Sequence, residues 1–564
     1  MEERRLLLAV ALSLLVLTAY SIFFAPATPP APSPAAAPTA TARSPVPPAA
    51  SPAVPAEAAP AAKAAAAPPS SPAAVADERE RRVEVVTPDY SVALTNKGAR
   101  LLSWTLTRYK DARGRPEEMV PAQGAALRPL DLETGDAALD AELKEALFRP
   151  TAETLRVSGS EPQALRFEFS RGELVAEKEL SFPARGLVSI SVSLRRGGQP
   201  LPVRVLWGPG VGNATPEERD VRGYTEPNGV ALLSGGGVQQ FPASKLPAAG
   251  QPLSAVRWVG VESHYFAALF VPAAVAAPAD LRALTLTPHG EEKPVTAAVA
   301  AVTAAAGEPV LLFVGAKDRQ ELARLGYQLD RVVQIGDWIG PIVVALMGLL
   351  RWVHGHVGNW GWSIVLLTVL INLAMAPFRH YSIVNGLKMA KISPEMKVIQ
   401  ERYRKVPMMD PRRQQMQEEM GALYARHGMS MSSQFTVGCL PLLLTMPFLF
   451  AFYRVLSVLI DLRGAPFLWI SDLAQKDPLY ITPVLMGVSM FAMQKMTPSA
   501  MDPAQQRMMM LMPLVLAGMF LWAPAGLNLY WLTSNLWSIL QQWAEMRFLR
   551  PAELKAQGSK RHSR

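Results

Sequence analysis

The stretch VGNWGWSIVLLTVLINLAMAPF, residues 357–378, decides the fold class of this chain. Its last 18 residues, 361–378, carry no charge and are long enough to cross a bilayer core of about 30 Å. Two polar residues in it, Thr368 and Asn372, are four positions apart and therefore lie on one face of a helix. The stretch predicts a transmembrane helix with a polar face.

The composition of the whole chain also indicates a membrane protein. Of 564 residues, 50 % are hydrophobic and 18 % are charged, below the roughly 25 % charge of soluble domains. The single cysteine excludes an intramolecular disulfide framework and a multi-cysteine metal site. The sequence has no hydrolase, kinase or phosphate-loop motif, so it gives no indication of these enzyme classes, and we predict no metal site.

Four more apolar segments follow the first one. Together they predict an all-α core at 361–546, in which APAG at 523–526 forms the turn between the last two spans. The five predicted spans are 361–378, 435–460, 479–495, 508–523 and 526–544. The run 339–353 is shorter and contains Arg351, so we predict that it is an amphipathic interfacial helix within a linker at 319–360.

The distribution of basic residues predicts the topology. The loop 379–430 has ten Lys or Arg against five Asp or Glu, which places it in the cytoplasm by the positive-inside rule. Ser393-Pro394 and Asp410-Pro411 are typical of helix starts, so this loop is predicted to be a helical hairpin. The basic tail at 547–564 is also predicted to be cytoplasmic, and disordered. Its charge suits either RNA or anionic lipid.

The N-terminal region contains two predicted segments. Residues 1–24 read as a transmembrane anchor with a cytoplasmic N-terminus, and a cleaved signal peptide is the alternative. Residues 25–82 are predicted to be a disordered tether, because 38 of the 52 residues at 25–76 are Ala or Pro. This topology places residues 25–338 in the periplasm.

Residues 83–318 have a different pattern. Runs such as VEVVTPDYSVALTN, LRFEFS and LVSISVSL alternate apolar and polar residues between turn residues, which predicts antiparallel sheets in an all-β sandwich. No His, Asp and Glu cluster has metal-ligand spacing there. His264 is expected to be an ordinary core or surface imidazole, and the domain is predicted to be non-catalytic.

The last predicted span also has a polar face. Its residues recur at helical spacing, and they are Asn528, Trp531, Asn535, Ser538 and Gln542. In hydrocarbon their amides would lack partners at a cost of a few kcal/mol each, so they must face each other or water. Two interpretations remain open at this point: interhelical hydrogen bonds that hold the bundle together, or a hydrated groove.

These segments resemble a known family. The stretch at 357–378, GCLPLLLTMPFLFAFYRVL at 438–456, and the segments 461–496 and 512–542 closely resemble the YidC membrane protein insertases of the YidC/Oxa/Alb family. The resemblance is to the Gram-negative type with a large periplasmic domain. It implies a bacterial inner-membrane protein that inserts, folds and assembles nascent membrane proteins, alone or with the Sec translocon. It further implies no cofactor and no enzymatic activity, and a periplasmic supersandwich similar to galactose mutarotases, without an implied sugar activity.

The resemblance also implies a water-containing groove that meets the substrate. Thr368 and Trp531 match groove positions of the family, whereas Asn372 stands where the family usually has Arg. The full set of candidate groove residues is Thr368, Asn372, Asn528, Trp531, Asn535, Met446 and Arg454. Arg454 is the ionisable residue well inside a predicted span. It either supplies the missing charge or extends to the outer interface.

Two other function classes stay open from the sequence. One is a polytopic transporter or channel with a periplasmic binding domain, although the predicted spans lack paired carboxylates. The other is a periplasmic carbohydrate-binding sensor, which rests on the sandwich alone. The expected partners are nascent membrane proteins, the Sec translocon, membrane lipids and, through the basic tail, the ribosome, with no DNA.

Overall fold

The computed structural model describes residues 74–562, with gaps at 112, 122–126, 220–226, 275–276, 288–293, 305–307, 337, 404–405, 408–409, 428–439 and 497–502. The chain divides into two compact units. One contains Pro394–Met429, and the other contains Ser71–Ser393 and Ser430–Arg564. The predicted anchor at 1–24 and most of the predicted tether lie outside the described residues.

The β-rich domain predicted at 83–318 is present between Arg82 and Ala316. Its strands form three sheets with the orders β4-β3-β2-β1-β7, β14-β13-β16-β17-β20-β10-β9-β8-β6 and β15-β18-β19-β12-β5, and β11 pairs with β10. The strands are β1 Arg82–Val86, β2 Tyr90–Thr95, β3 Arg100–Lys110, β4 Pro116–Glu118, β5 Leu132–Glu133, β6 Arg149–Pro150, β7 Thr154–Arg156, β8 Gln163–Arg171, β9 Leu174–Phe182, β10 Val188–Arg196, β11 Gln199–Pro200, β12 Val203–Trp207, β13 Asn228–Leu233, β14 Val238–Phe241, β15 Gln251–Leu253, β16 Val256–Glu262, β17 Phe266–Val271, β18 Ala279–Leu286, β19 Val295–Ala304 and β20 Val310–Ala316.

Alternating side chains explain the sheets. In β9 every second residue is buried, which is the period-two pattern of a strand with one face on a core. Val85, Leu180 and Val205 come from the three different sheets and meet in one hydrophobic core. All residues of β17 are buried, because a second cluster with Leu322 and Leu329 covers its other face. We call this domain the sandwich.

The tether ends earlier than predicted. Val75 exchanges two backbone hydrogen bonds with Ser170, of 3.1 and 2.7 Å, and the N–H of Asp77 donates to the Leu147 carbonyl. The sequence prediction placed the boundary at 82 and is therefore wrong by several residues. No proline occurs between Pro72 and Pro88, so each residue at 73–87 has a backbone N–H, and those of Val75 and Asp77 donate to the sandwich.

The helices are listed here in chain order. They are α1 Ala137–Glu145, α2 Pro216–Arg219, α3 Arg319–Leu325, α4 Gly340–Val357, α5 Trp360–Arg402, α6 Arg412–Arg426, α7 Leu440–Val458, α8 Ile481–Met496, α9 Pro503–Met519 and α10 Ala525–His562, with short 3-10 turns at Ala243–Lys245, Leu329–Val332, Ile460–Leu462 and Phe520–Trp522.

Apolar faces hold the helical core together. α4 packs against α7, and α8 packs against both α9 and α10. Leu350, Leu367 and Phe452 belong to a single core cluster contributed by α4, α5 and α7. Among the described residues, two helices are long and apolar enough to cross a membrane by length and composition, and these are Gly340–Val357 and Trp360–Met389.

Two local predictions on helix ends are wrong. Ser393-Pro394 lies inside α5 instead of starting a helix, whereas Asp410-Pro411 does precede α6, and Asp410 accepts a hydrogen bond from the Arg412 N–H. Proline removes one backbone donor and disfavours a helix interior, but the strong helix formers on both sides of Pro394 allow the helix to continue.

The prediction of a disordered C-terminal tail is also wrong. α10 continues to His562, so the tail is helical, consistent with the helix formers in AELKAQ at 552–557.

One buried cation connects the sheets of the sandwich. Lys178 lies at an inward position of β9 and is fully buried. Its Nζ donates to the carbonyl oxygens of Ala99 and Leu130, at 2.7 and 2.6 Å. Both acceptor residues have positive φ, at 48° and 68°, so the ammonium group bridges two turns in left-handed conformations. Burial lowers the pKa of Lys178 to about 7.

We expect Lys178→Met to destabilise the sandwich by about 1–3 kcal/mol, because two buried carbonyl oxygens lose their donor. The folded protein releases the Lys178 proton near pH 7, whereas the unfolded chain holds it to about 10.5, so wild-type stability rises between these values. The difference in melting temperature between wild type and variant should therefore grow from pH 7 to pH 9. Lys245→Met, at an exposed position, is the matched control. A difference that does not change with pH would contradict the prediction.

Candidate functional site

A line of polar residues runs along the contact between α5 and α10. We call it the polar seam, and its members are Thr368, Asn372 and Arg379 on α5 and Ser534, Ser538 and Gln541 on α10. Within each helix these residues recur at intervals of three, four or seven, so each set forms a stripe on one face. The seam is therefore a direct product of helical periodicity.

In the part of the seam around Thr368 and Asn372, the polar side chains are paired by hydrogen bonds. Thr368 and Asn372 are buried, and each also bonds to the backbone one turn earlier in α5. The Asn372 Oδ1 accepts a hydrogen bond of 3.3 Å from the Ser534 hydroxyl, which joins α5 to α10. Neutral groups with both donor and acceptor capacity thus line this part.

The part of the seam around Arg379 carries a positive charge. The Arg379 guanidinium donates to the Ser538 hydroxyl, and Ser538 in turn donates to the Ser534 carbonyl. Gln541 donates from Nε2 to the Ala376 carbonyl at 3.0 Å, which ties the two helices again. Arg379 lies seven residues after Asn372, or about 10 Å along the helix axis.

The seam continues into a pocket between the two helices. Its lining includes Ala376, His380, Trp537, Gln541 and Glu545. The His380 Nδ1 lies 3.3 Å from the Glu545 carboxylate, and Gln541 donates to the same carboxylate at 2.8 Å. The Trp537 Nε1 and Gln541 Oε1 are buried and have no hydrogen-bond partner among the residues that the structure describes. Unpaired polar atoms of this kind suit water or a polar ligand group.

Three predicted residues of the last span contact two neighbours within the bundle, Ser489 and Phe520. Asn535 donates to the Ser489 hydroxyl of α8 at 3.1 Å, and Asn528 donates to the Phe520 carbonyl at 3.2 Å. The Trp531 ring packs edge-on against Phe520. These three candidates therefore make contacts within the bundle. Gln542 is buried on the same helix.

The remaining candidates lie apart from the seam. Arg454 donates from Nε to the Gln334 carbonyl at 2.6 Å, so it contacts the linker before α4. Met446 is half-buried on α7. The sequence analysis missed Ser534 and Gln541, which precede the predicted Asn535 and Gln542 by one position. Adjacent residues of a helix point in directions about 100° apart. Which of the neighbouring positions faces α5 is therefore decided by how α10 packs beside α5, and the sequence of α10 alone does not specify it.

A loop covers the sandwich end of the seam. Residues 459–480, which we call the capping loop, connect α7 to α8 and contact both seam helices. The N–H groups of Ala525 and Gly526, at the start of α10, donate to the carbonyls of Gln475 and Leu473. The Phe467 ring packs directly against Gly361, and Asn359 donates to the Pro466 carbonyl at 3.2 Å.

Asp477 fixes the junction of the capping loop with α8. Its carboxylate accepts hydrogen bonds from the Thr482 N–H and hydroxyl at 2.7 and 2.8 Å, and from Trp469 at 3.1 Å. Although burial alone would raise the pKa of Asp477, these hydrogen bonds hold it below its usual value. The C-terminal end of the capping loop is thus fixed to the first turn of α8.

Comparisons with known proteins decide the family. A family model described as the YidC periplasmic domain matches residues 82–348, and one described as the 60Kd inner membrane protein matches residues 352–552. The membrane protein insertase YidC of Geobacter metallireducens is 31 % identical over 98 % of this chain and 100 % of its own length. The chain belongs to the YidC insertase family. The YidC of Geobacter sulfurreducens is 32 % identical over 83 % of this chain and 87 % of its own length.

Membership in the YidC family fixes the location of the parts. The chain is a bacterial inner-membrane protein, and the sandwich is its periplasmic domain. Ile460 of the capping loop belongs to the main core of the sandwich, so the loop lies between the sandwich and the seam. Among the described residues, no group of three His, Cys, Asp or Glu is arranged to hold a metal ion.

Gly361→Ala should disturb the contact between α5 and the capping loop, because a methyl group there would overlap the Phe467 ring. We expect a loss of about 2 kcal/mol or more in stability, as for other overpacked cores. Thermal unfolding of the purified full chain in detergent measures it. Gly348→Ala is the matched control, because a Cβ at that helical glycine meets no atom within 4 Å. Equal melting temperatures for the two variants would contradict the predicted overlap.

Proposed function

We propose that this protein inserts nascent membrane proteins by offering their hydrophilic segments temporary partners along the polar seam. Family membership carries the insertion function, since relatives covering nearly the whole chain are membrane protein insertases. The seam carries the mechanism, because it places hydroxyl, amide and guanidinium groups on adjoining faces of α5 and α10.

The energetic problem that the seam addresses is the passage of polar residues through hydrocarbon. A charged side chain at the bilayer centre costs roughly 2.5–3.5 kcal/mol on insertion scales. Hydrogen-bonding groups that reach into the membrane lower this cost for the translocated segment of the protein that is being inserted, which we call the passenger. The apolar span of the passenger then enters lipid, and its burial drives the process.

We propose the membrane arrangement predicted from the sequence. α5, α7, α8, α9 and the first part of α10 form five spans, and α4 lies in the interface with its buried side on α7. Both termini and the hairpin of α5 and α6 are then cytoplasmic, in keeping with the positive-inside rule. Apolar residues such as Val488, Leu514 and Leu536 are exposed on the spans and suit contact with lipid.

We propose that Arg379 provides the positive charge of the seam. The guanidinium is hydrogen-bonded to a hydroxyl, which leaves its charge available to an anion. Asn372 is neutral, and Arg454 is engaged with the Gln334 carbonyl. The field of a charge is stronger in a poorly hydrated site than in water, so Arg379 favours passengers with acidic translocated segments.

The proposed partners follow from surface chemistry. The hairpin pairs its helices through Glu419, which accepts hydrogen bonds from the Tyr403 hydroxyl at 2.9 Å and Arg402 at 3.0 Å. We propose that this hairpin receives apolar segments of nascent chains, since Met side chains adapt to varied surfaces. The basic tail suits anionic lipid or ribosomal RNA. Cooperation with the Sec translocon is a further proposal from the family.

Complementation tests the function directly. Expression of this chain in a cell depleted of its own insertase should restore growth and the insertion of a small single-span protein. Proteoliposomes that contain only the purified chain should insert the same passenger and should show no solute flux. Flux without insertion would instead favour the transporter or channel alternative.

Arg379→Gln should reduce insertion of a passenger with two Asp residues in its translocated segment by about tenfold, which corresponds to about 1.4 kcal/mol. The same passenger with two Asn residues should lose little. The readout is the fraction of passenger that becomes protease-protected in proteoliposomes. Moving the charge one heptad, with Arg379→Gln and Asn372→Arg together, should restore most of the acidic preference.

Two controls accompany this prediction. Arg547→Gln removes an exposed cation further along α10 and should change neither passenger. Arg454→Ala should leave the ratio between the two passengers unchanged, because its guanidinium contacts the linker. An equal loss for both passengers in Arg379→Gln would show that Arg379 acts only through packing.

A further inference from the structure

A single arginine connects the capping loop to the sandwich. Arg463, in the loop, is almost completely buried. Its Nε donates to Glu218 at 2.7 Å, and one terminal nitrogen donates to Glu117 at 2.7 Å. The guanidinium also lies 5.3 Å from the centre of the Phe266 ring. All three partners belong to the sandwich, and they come from three separate segments of it.

The charges of this cluster depend on one another. Glu117 and Glu218 are both buried, so without Arg463 the sandwich would contain two like charges in a poorly hydrated site. Burial raises the pKa of Glu117, and Arg463 opposes that rise. Burial alone would lower the pKa of Arg463, but the carboxylates of Glu218 and Glu117 more than offset this and raise it. The cluster is therefore complete only when the loop is docked.

Other contacts surround the same loop. Arg351 of α4 bridges Asp318 at 2.8 Å, at the end of the sandwich, and Asp461 at 2.6 Å, in the loop. Ile460 of the loop is buried within the main core of the sandwich. His264 of the sandwich bonds through Nε2 to the Ser457 carbonyl, just before the loop, at 2.9 Å. The sandwich thus contacts the loop on several sides.

We propose that Arg463 is a positioning residue through which the sandwich holds the capping loop over the polar seam and keeps the seam closed to the periplasm. The loop bonds to the start of α10 and packs on Gly361 of α5, so its position determines whether the periplasmic end of the seam is covered. The sandwich then has a mechanical role in the insertase that neither its fold nor the insertion function specifies.

Accessibility of a buried cysteine in the first turn of α5, close in the chain to the Gly361–Phe467 contact, tests this inference. Ser363 is fully buried, two residues after Gly361, and Ser363→Cys in a Cys439→Ser background is a small change. A membrane-impermeant maleimide is added to spheroplasts, where it reaches only the periplasmic side. Glu117→Gln together with Glu218→Gln removes both negative charges that face Arg463 while keeping the side-chain shapes, and labelling should become at least tenfold faster.

The matched control is Glu179→Gln, which removes a partner of Arg166 from a half-exposed ion pair elsewhere in the sandwich. It should leave the labelling rate at the wild-type value. If the double variant labels no faster than wild type, or if Glu179→Gln accelerates labelling equally, the inference is overturned. Labelling needs no passenger, so this result is independent of any failure of the insertion assay.

A second reporter separates loop release from unfolding. Ser170→Cys, at a buried position of β8, should stay unlabelled in the double variant if the sandwich remains folded. Should it become reactive, Arg463→Lys decides the question, because it keeps the charge but has one nitrogen for two carboxylates. A several-fold faster labelling of Cys at position 363 in that variant supports the inference, and a wild-type rate contradicts it.

Discussion

The absence of water in the bilayer core is the constraint on which the helical core depends. Thr368, Asn372 and Ser534 carry groups that hydrocarbon cannot satisfy, so their helices have to pair with these faces together. The pairing of α5 with α10 is therefore set by polar satisfaction as much as by apolar packing. The same condition explains why Asn528 and Asn535 find partners on other segments of the bundle. The interhelical hydrogen bonds and the proposed polar path for passengers rest on the same arrangement.

The periodic features of this chain were predictable from its sequence, because periodicity is local. The alternation in β9 and β10 gives strands with one buried face, and the uncharged stretch at 361–378 lies within α5. The start of α6 after Asp410-Pro411 also follows from local chemistry. By contrast, the Ser393-Pro394 prediction failed, because a cap preference of about 1 kcal/mol is smaller than the combined propensity of the residues that continue the helix.

Contacts between distant residues were beyond reach of the sequence. Arg463 and Glu117 are separated by 346 positions, and the local sequence around each residue does not indicate that its charged side chain is buried. The same is true of Lys178, whose acceptors are carbonyls of two turns elsewhere in the sandwich. In the seam, the heptad spacing of Asn372 and Arg379 was visible, but Ser534 and Ser538 became meaningful only once α10 was placed beside α5. A stripe on one helix does not specify which helix it faces.

The position of Arg379 along α5 determines the depth at which an acidic residue of a passenger would meet the positive charge. Asn372 lies about 6 Å along the helix axis from Thr368, and Arg379 lies about 10 Å beyond Asn372, further from the capping loop. In the proposed mechanism, a carboxylate that enters from the cytoplasmic side therefore meets the guanidinium before it reaches the neutral amides and hydroxyls. Its electrostatic stabilisation falls as it moves on toward the periplasm, while the exchange of hydrogen bonds with Asn372 and Ser534 takes over. A cation placed at the start of the path attracts an acidic segment without holding it at the end, and release to the periplasm then requires less free energy than it would from a cation at position 372.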